Sequence, residues 1–410
     1  MPVVAAAGHS NRRFHKTSIS LRFDSDAVRV RAILGADFLD AVTALFFALG
    51  FPALLFGAEL LVRAASSLAA SFGISPLVIG VTVVAYGTSA PEAAVSIQAI
   101  TADPAQPDIA IGNVIGSNIA NVLLVLGVSA ILLPISISRT VLRRGLPQVI
   151  AVSMLVFLIA LDGSISRIEG MLLLIGAVLF TIGVVYRGRT EPPEKPDTED
   201  VSPPRLPSWL QVSRDLFLIL IGLVMMVVAA RWLVNGATAA ARSLGVSELV
   251  IGLSIVAIGT SLPEVATSIV ATLRGKRDIA VGNILGSNMF NLLLVLGLCA
   301  TISPEAEGLR IEARALWLDL PVMIGVVVLC WPIFYTGRMI SRLEGMALFG
   351  FYVCYMLFRF LQESSNPVTQ VFGLVILFAI IPATILLLSH RIYKEWRMSQ
   401  LETESKSHNE

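Results

Sequence analysis

The stretch Gly87-Thr-Ser-Ala-Pro-Glu92 returns later in the same chain as Gly259-Thr-Ser-Leu-Pro-Glu264, and the residues around the two copies repeat as well. Upstream, Pro76-Leu-Val-Ile-Gly80 is answered by Glu248-Leu-Val-Ile-Gly252. Downstream, Asp108-Ile-Ala-Ile-Gly-Asn113 and Gly116-Ser-Asn118, leading to Asn121, are answered by Asp278-Ile-Ala-Val-Gly-Asn283 and Gly286-Ser-Asn288, leading to Asn291. Further on, Ser166-Arg-Ile-Glu-Gly170 matches Ser341-Arg-Leu-Glu-Gly345. Self-similarity of this extent marks an internal duplication of about five helices per half.

The segments between these motifs are apolar and long. Of the 410 residues, 55% are hydrophobic and 14% charged, which fits a bilayer as solvent better than water. Apolar runs close to the roughly 20 residues needed to cross a hydrocarbon core predict eleven spans. They fall near Val42–Ala64, Pro76–Thr101, Ile109–Leu133, Leu146–Ala160, Ile168–Val185, Leu216–Ala241, Leu249–Leu273, Ile279–Ile302, Leu316–Tyr335, Leu343–Phe360 and Val371–Leu388. The expected fold is therefore an all-α integral membrane protein with two five-helix repeats plus one extra C-terminal transmembrane helix. By residue, the expected parts are a basic amino-terminal tail (1–40), a first repeat (41–186), a cytoplasmic linker (187–214), a second repeat (215–362), the extra helix (363–390) and a polar tail (391–410). The linker is rich in Pro and Glu, which neither span nor pack. The amino-terminal tail holds six arginines and lysines but no apolar run of signal-peptide length.

An odd number of helices per half makes the two halves enter the membrane from opposite sides, an inverted-topology repeat. Charge agrees with this. The loop Asp103-Pro-Ala-Gln-Pro-Asp108 has no Lys or Arg, whereas its counterpart carries Arg274, Lys276 and Arg277. The positive-inside rule then places Arg139, Arg143, Arg144, Arg274 to Arg277, Arg338, Arg342, the linker and the Arg391, Lys394, Arg397 tail in the cytoplasm. With eleven spans the amino terminus falls outside, where its own arginines run against the same rule.

Glu92 and Glu264 lie deep inside apolar segments, where an ionisable side chain costs several kcal/mol unless paired, protonated or bound to an ion. Each follows a proline expected to kink the helix and free carbonyls near Ala85 to Thr88 and Ala257 to Thr260. Thr88 and Ser89 stand four and three residues before Glu92, on the carboxylate's side of a helix, and Thr260 and Ser261 stand likewise to Glu264. On the next helix Ser117 and Asn121 share one stripe, as do Ser287 and Asn291. An inverted repeat brings both sets to the midplane and offers two carboxylates with hydroxyl, amide and carbonyl oxygens, and no nitrogen or sulfur ligand. That is chemistry for a hard cation: calcium accepts about 6–8 flexible oxygens, while zinc prefers His or Cys. Two carboxylates neutralise one divalent ion, and sodium ions competing for the same oxygens would give exchange.

Several polar and small residues have a packing role as the simpler reading. Gly80, Gly112, Gly116, Gly252, Gly282 and Gly286 fit close helix approach, Ser117, Asn118, Ser287 and Asn288 taken singly fit packing as well as they fit ligation, and Glu59 with Arg63 fits a structural pair. Asp162, Asp319, Glu169 and Glu344 read as anchors near span ends.

The paired motifs, Gly87 to Glu92 with Gly116-Ser-Asn118 and their second copies, resemble the two alpha repeats of the calcium/cation antiporter superfamily, and most of all its prokaryotic sodium/calcium exchanger branch. The resemblance runs from about Val42 to Phe360 and implies a ten-helix exchanger core, which the last span exceeds. It implies that Glu92 and Glu264 coordinate Ca2+ and Na+, with ion contacts from Thr88, Ser89, Ser117, Asn121, Thr260, Ser261, Ser287 and Asn291. Some exchangers of this kind carry an aspartate where this chain has Asn121 or Asn291, a departure that leaves proton coupling and the ion ratio open.

Exchange of Ca2+ for Na+ in a cell (inner or plasma) membrane is the expected function. Ca2+/H+ or other cation/H+ antiport is the alternative, and a cation channel follows. An enzyme is not expected: His9, His15, His390 and His408 all lie in the tails and no His-Glu-x-x-His occurs. No cofactor is expected beyond the transported ions. Cys299, Cys330 and Cys354 sit in apolar runs with no metal or disulfide pattern, and a net charge of +1 gives no reason to expect nucleic acid. The expected surroundings are the lipid bilayer.

Overall fold

The computed structural model describes residues 36–190, 208–245, 257–305, 308–363 and 368–376, with isolated positions on to 397. The basic amino-terminal tail, most of the linker, the Glu248-to-Gly252 copy, most of the extra C-terminal span and the polar tail lie outside the described residues.

Helix α1 covers Ala36–Phe72, α2 Pro76–Thr88, α3 Ala90–Thr101 and α4 Pro107–Leu132. Strand β1 (Ile135–Ser136) leads to α5 (Val141–Asp162), β2 (Ser164–Ile165) and α6 (Arg167–Thr190). Then come α7 (Trp209–Ser243), α8 (Ala257–Thr260), α9 (Leu262–Leu273) and α10 (Arg277–Ile302). The order ends with β3 (Leu309–Arg310), α11 (Ala315–Tyr335), β4 (Met339–Ile340), α12 (Arg342–Glu363) and α13 (Val368–Val375). Among the described residues eight helices are long and apolar enough to cross a membrane, and α2 with α3, bent by 42°, makes a ninth crossing if taken together.

Burial separates the helices into two classes. In the most apolar stretches of α4 and α10, 83% of residues are buried inside the protein, against 17–33% in α1, α5, α6, α7 and α12. The outer helices instead show Leu, Ile and Val outward, as Leu172, Ile175, Leu179 and Ile182 do on α6, which is the surface a hydrocarbon solvent requires. The polar side chains of the Asp-Ile-Ala-x-Gly-Asn and Gly-Ser-Asn motifs therefore sit on the two helices with the least lipid contact.

Between helices of equal hydrophobicity, attraction comes from close packing of small residues. A Cβ at Gly57 would stand 2.9 Å from the Gly222 carbonyl oxygen, and one at Gly222 would stand 2.7 Å from that of Gly57, so α1 and α7 touch backbone to backbone. Gly127 meets Gly345 in the same way, and Gly170 meets Gly297. Gly80, Gly282 and Gly286 also face backbone at under 3 Å, as expected of packing glycines. For Gly112 and Gly116 the described residues place nothing within 4 Å of that position, and Gly252 lies outside them.

Two short antiparallel pairs tie the ends together. β1 pairs with β4, Ile135 opposite Ile340, and β2 pairs with β3, Ser164 opposite Arg310. Since α5 runs from β1 to β2, the pairs lie at opposite ends of the bundle. The β1–β4 end gathers basic residues. Arg338 is at β4, Arg277 donates to Ser136 Oγ at 3.4 Å, Arg342 donates to the Leu132 carbonyl, and Arg139, Arg143 and Arg144 follow β1 directly.

Some expected boundaries shift. α5 begins at Val141 rather than Leu146, through a widened π turn carrying Arg143 and Arg144, whose long side chains let the charge stay at the membrane surface. α7 begins at Trp209 rather than Leu216, because Ser208 caps it by accepting from Leu210 N–H at 3.2 Å. Glu169 and Glu344 are helix-capping partners, each accepting from the serine three residues earlier (Ser166, Ser341) at 2.8 Å. Asp319 is not an exposed anchor: it is buried, ion-paired with Arg359 and accepts from Tyr355 at 3.2 Å.

Candidate ion site

The break between α2 and α3 falls at Ser89, and the one between α8 and α9 at Ser261, with nearly identical backbone angles (φ −87°, ψ 6° and φ −86°, ψ 3°). Pro91 and Pro263 cause it without occupying a helix interior. Each sits in the first turn of the following helix, where an absent N–H leaves nothing unsatisfied. The expected mid-helix kink is thus a break with a fresh helix start. Ala85, expected among the freed carbonyls, still accepts from Ser89 N–H at 3.0 Å. The new helix starts place Glu92 and Glu264 in a first turn, where backbone N–H groups favour negative charge.

On the neighbouring helices, widened π turns begin at Asn121 in α4 and at Asn291 in α10. Such insertions re-aim side chains and recur at functional sites.

The elements converge. Ser89 Oγ donates to Glu264 Oε1 at 3.0 Å, so the motif of the first half touches the carboxylate of the second. Thr88 Oγ1 donates to Asn283 Oδ1 at 3.0 Å. Asn121 Nδ2 donates to Asn288 Oδ1 at 3.0 Å, while Asn291 Nδ2 donates to Ser117 Oγ at 2.9 Å and Asn118 Oδ1 at 3.3 Å. Glu92 and Glu264 are each only 1% exposed; Thr88, Ser89, Ser117, Asn121, Ser261, Ser287 and Asn291 are buried with them, and Thr260 is half-buried.

What these bonds leave over is mainly oxygen, four acceptor-only atoms and two hydroxyls that can also donate. Glu92 Oε2, Glu264 Oε2, Asn121 Oδ1, Asn291 Oδ1, Ser261 Oγ and Ser287 Oγ are buried without a hydrogen-bond partner; the one amide donor in the same condition nearby is Asn288 Nδ2. An unpaired buried acceptor costs about 1–3 kcal/mol, and a carboxylate more. The asparagine amides cannot turn to donate, because their N–H groups are engaged elsewhere. Oxygen acceptors on four helices, two of them ionisable, fit a hard cation held by oxygens. Among the described residues no group of three or more His, Cys, Asp or Glu could hold a metal, so neutral oxygens must complete any shell.

Sequence reasoning missed the shell behind these residues. Asn113 Nδ2 donates to the Glu92 carbonyl and to Ser96 Oγ, both at 2.9 Å, and Asn283 Nδ2 donates to Ser268 Oγ at 3.2 Å. The signal was available: Asn113 and Asn283 close the repeated Asp-Ile-Ala-x-Gly-Asn motif.

The chain's sequence matches the family described as sodium/calcium exchanger protein over residues 42–186 and 215–361. It is 42% identical to inner membrane protein YrbG of Escherichia coli (strain K12) over 288 residues, 69% of this chain and 86% of that protein. It is 32% identical to sodium/calcium exchanger MaX1 of Methanosarcina acetivorans over 353 residues, 78% of this chain and 99% of that protein. In three dimensions it resembles the sodium-calcium exchanger NCX_Mj, solved after soaking with zero Na+ and Ca2+, with a TM-score of 0.64 and 31% identity over 76% of this chain and 97% of that one.

Proposed function

The chain belongs to the sodium/calcium exchanger protein family, and from that premise we propose that it exchanges Ca2+ for Na+ by alternating access at a midplane site built on Glu92 and Glu264. At the coarser level it is a cation antiporter and a multi-pass inner-membrane protein. The observation that carries the finer reading is the set of buried, donor-less oxygens on Glu92, Glu264, Asn121, Asn291, Ser261 and Ser287. One Ca2+ balances both carboxylates and satisfies several of these acceptors at once. Sodium ions use the same oxygens, so either cargo excludes the other and transport is coupled without a separate gate chemistry. Thr88, Ser89, Ser117 and Thr260 complete the proposed ligand set.

Alternating access rests on an inverted repeat of five helices per half. Its support is reciprocity. In the repeat β1 corresponds to β3 and β2 to β4, and the pairs formed are β1–β4 and β2–β3. Gly127 corresponds to Gly297 and Gly170 to Gly345, and the contacts are Gly127–Gly345 and Gly170–Gly297. Asn121–Asn288 and Asn291–Asn118 obey the same exchange. A two-fold axis in the membrane plane generates such crossed pairs. The basic residues at the β1–β4 end, more numerous than Arg167, Arg310 and Arg314 at the other, support placing that end in the cytoplasm.

Uptake of radioactive calcium into lipid vesicles holding the full chain tests the proposal. A sodium gradient should drive it, and Glu92→Gln or Glu264→Gln should reduce it to the level of empty vesicles. Flux that survives loss of both glutamates rules the site out. Asn121 and Asn291, neutral at both positions, favour keeping proton antiport as the second reading; flux driven by a proton gradient and indifferent to sodium would establish it. Flux without any counter-ion would establish a channel.

A further inference from the structure

Two charged positions on the long helices take no part in the ion site. Glu59 on α1 is bonded by Arg63 and by Arg274, whose guanidinium reaches it at 2.7 and 3.0 Å from the end of α9. The offset that relates Glu92 to Glu264 relates Glu59 to Arg231 on α7. Arg231 is exposed and, among the described residues, has no hydrogen-bond or ion-pair partner. An arginine within a membrane-crossing helix normally pairs or faces a water-filled cavity. At the end of α3, which corresponds to the end of α9, Ala102 takes the strict place of Arg274 and Asp103 follows it. Asp103 is exposed and equally without a partner.

The four charges form a pattern. The loop after α9 is basic and faces a glutamate on α1; the loop after α3 lacks Lys and Arg, carries Asp103, and corresponds to an arginine on α7. The positive-inside rule explains why the loops differ in sign, and the helix positions carry the complement in each case. We propose that Glu59–Arg274 and Arg231–Asp103 are two ionic latches on opposite faces of the membrane, closed in turn as the access state changes. The structure holds the cytoplasmic latch closed and the outer one open. α1 and α7 are packed as one unit, with Gly57 and Gly222 backbone to backbone and Ser67 Oγ donating to the buried Asp215 Oδ2 at 2.6 Å, and in the proposed exchange they shift together. By the repeat correspondence, the displacement that draws Glu59 off Arg274 is the one that brings Arg231 toward Asp103. The closed pair is half-exposed, and pairs of that kind contribute little, so neither state is locked.

The inference rests on the inverted-repeat reading above, and its test needs no transported ion. The full chain is placed in lipid vesicles with Asp103→Cys and Arg231→Cys in a Cys354→Ser background, Cys299 and Cys330 being buried. A short thiol cross-linker should join positions 103 and 231, as read by peptide mass spectrometry. Adding Glu59→Gln should raise the yield roughly threefold, the population shift available from a half-exposed ion pair, and Glu59→Asp should leave it unchanged. No cross-link, or a yield indifferent to Glu59→Gln, overturns the latches. Calcium flux in the unmodified chain that ignores sodium would overturn the coupling ion alone, and the cross-link would still decide the latches.

Discussion

Ser89 and Ser261 occupy equivalent places in the two motifs, yet only Ser89 reaches a carboxylate, donating to Glu264, while Ser261 Oγ has no partner. Under the proposed alternating access, equal sequences in unequal surroundings are expected of one of the two states. The unsatisfied polar atoms also mark those proposed ligands whose loss should cost little stability. Ser287 Oγ is buried without a partner, so Ser287→Ala should change unfolding stability by no more than about 0.5 kcal/mol. The same change should weaken calcium binding about tenfold, the effect of roughly 1.4 kcal/mol, measured by isothermal titration in detergent. Asn283→Ala should show the opposite signature. It strips Ser268 Oγ of its partner and leaves Thr88 Oγ1 only the Ala85 carbonyl at 3.4 Å, both hydroxyls being buried, and should cost about 1–3 kcal/mol of stability in a thermal melt. Equal stability losses in both variants would mean that Ser287 is packing rather than ligand.

At the scale of elements, much was legible because the repeat doubles every signal. Glu92 and Glu264, far inside apolar runs, pointed to buried polar groups, and both are buried, as are Ser117 and Asn121 on their shared stripe. The sequence predicts a kink where the helix breaks, since Pro91 shows a missing donor but not that Ser89 ends one helix and Ala90 starts another. Asp319 with Arg359 and Tyr355 was not legible at all: its partners lie some forty residues away in the chain and have no counterparts in the first half, where Gly145, Val184 and Phe180 stand. The broken helices make their own prediction. Pro91→Ala restores an N–H and lets a helix run on through Ser89, which would swing Glu92 off the site. Sodium-driven calcium uptake should fall at least about tenfold while the melting temperature holds or rises, because alanine favours the helix. The glycine contacts predict the reverse balance: Gly345→Val drives a side chain against the Gly127 carbonyl, 2.8 Å from its Cβ, and should cost about 1–3 kcal/mol of stability.

For the molecule as a whole, the two halves are joined far more by reciprocal contact than by the chain between them. α4 and α10 are buried largely against each other's surroundings, β1–β4 and β2–β3 cross from half to half at both ends, and α1 meets α7 along its glycines. The carboxylates come one from each half, so on the proposed reading a half alone has neither a complete site nor a covered polar face. The covalent linker then serves chiefly to raise the effective concentration of one half near the other, a service no longer needed once they have assembled in a bilayer. Cutting the chain within residues 191–207, at an inserted protease site after reconstitution, should leave both fragments co-migrating in mild detergent and sodium-driven calcium uptake within about twofold of the intact chain. Expressing either fragment by itself should give no uptake at all. Fragments that separate on cutting, or a single half that transports, would show that the site is not shared across the halves, and with that the reading of crossed contacts as an inverted repeat around one cage would fall.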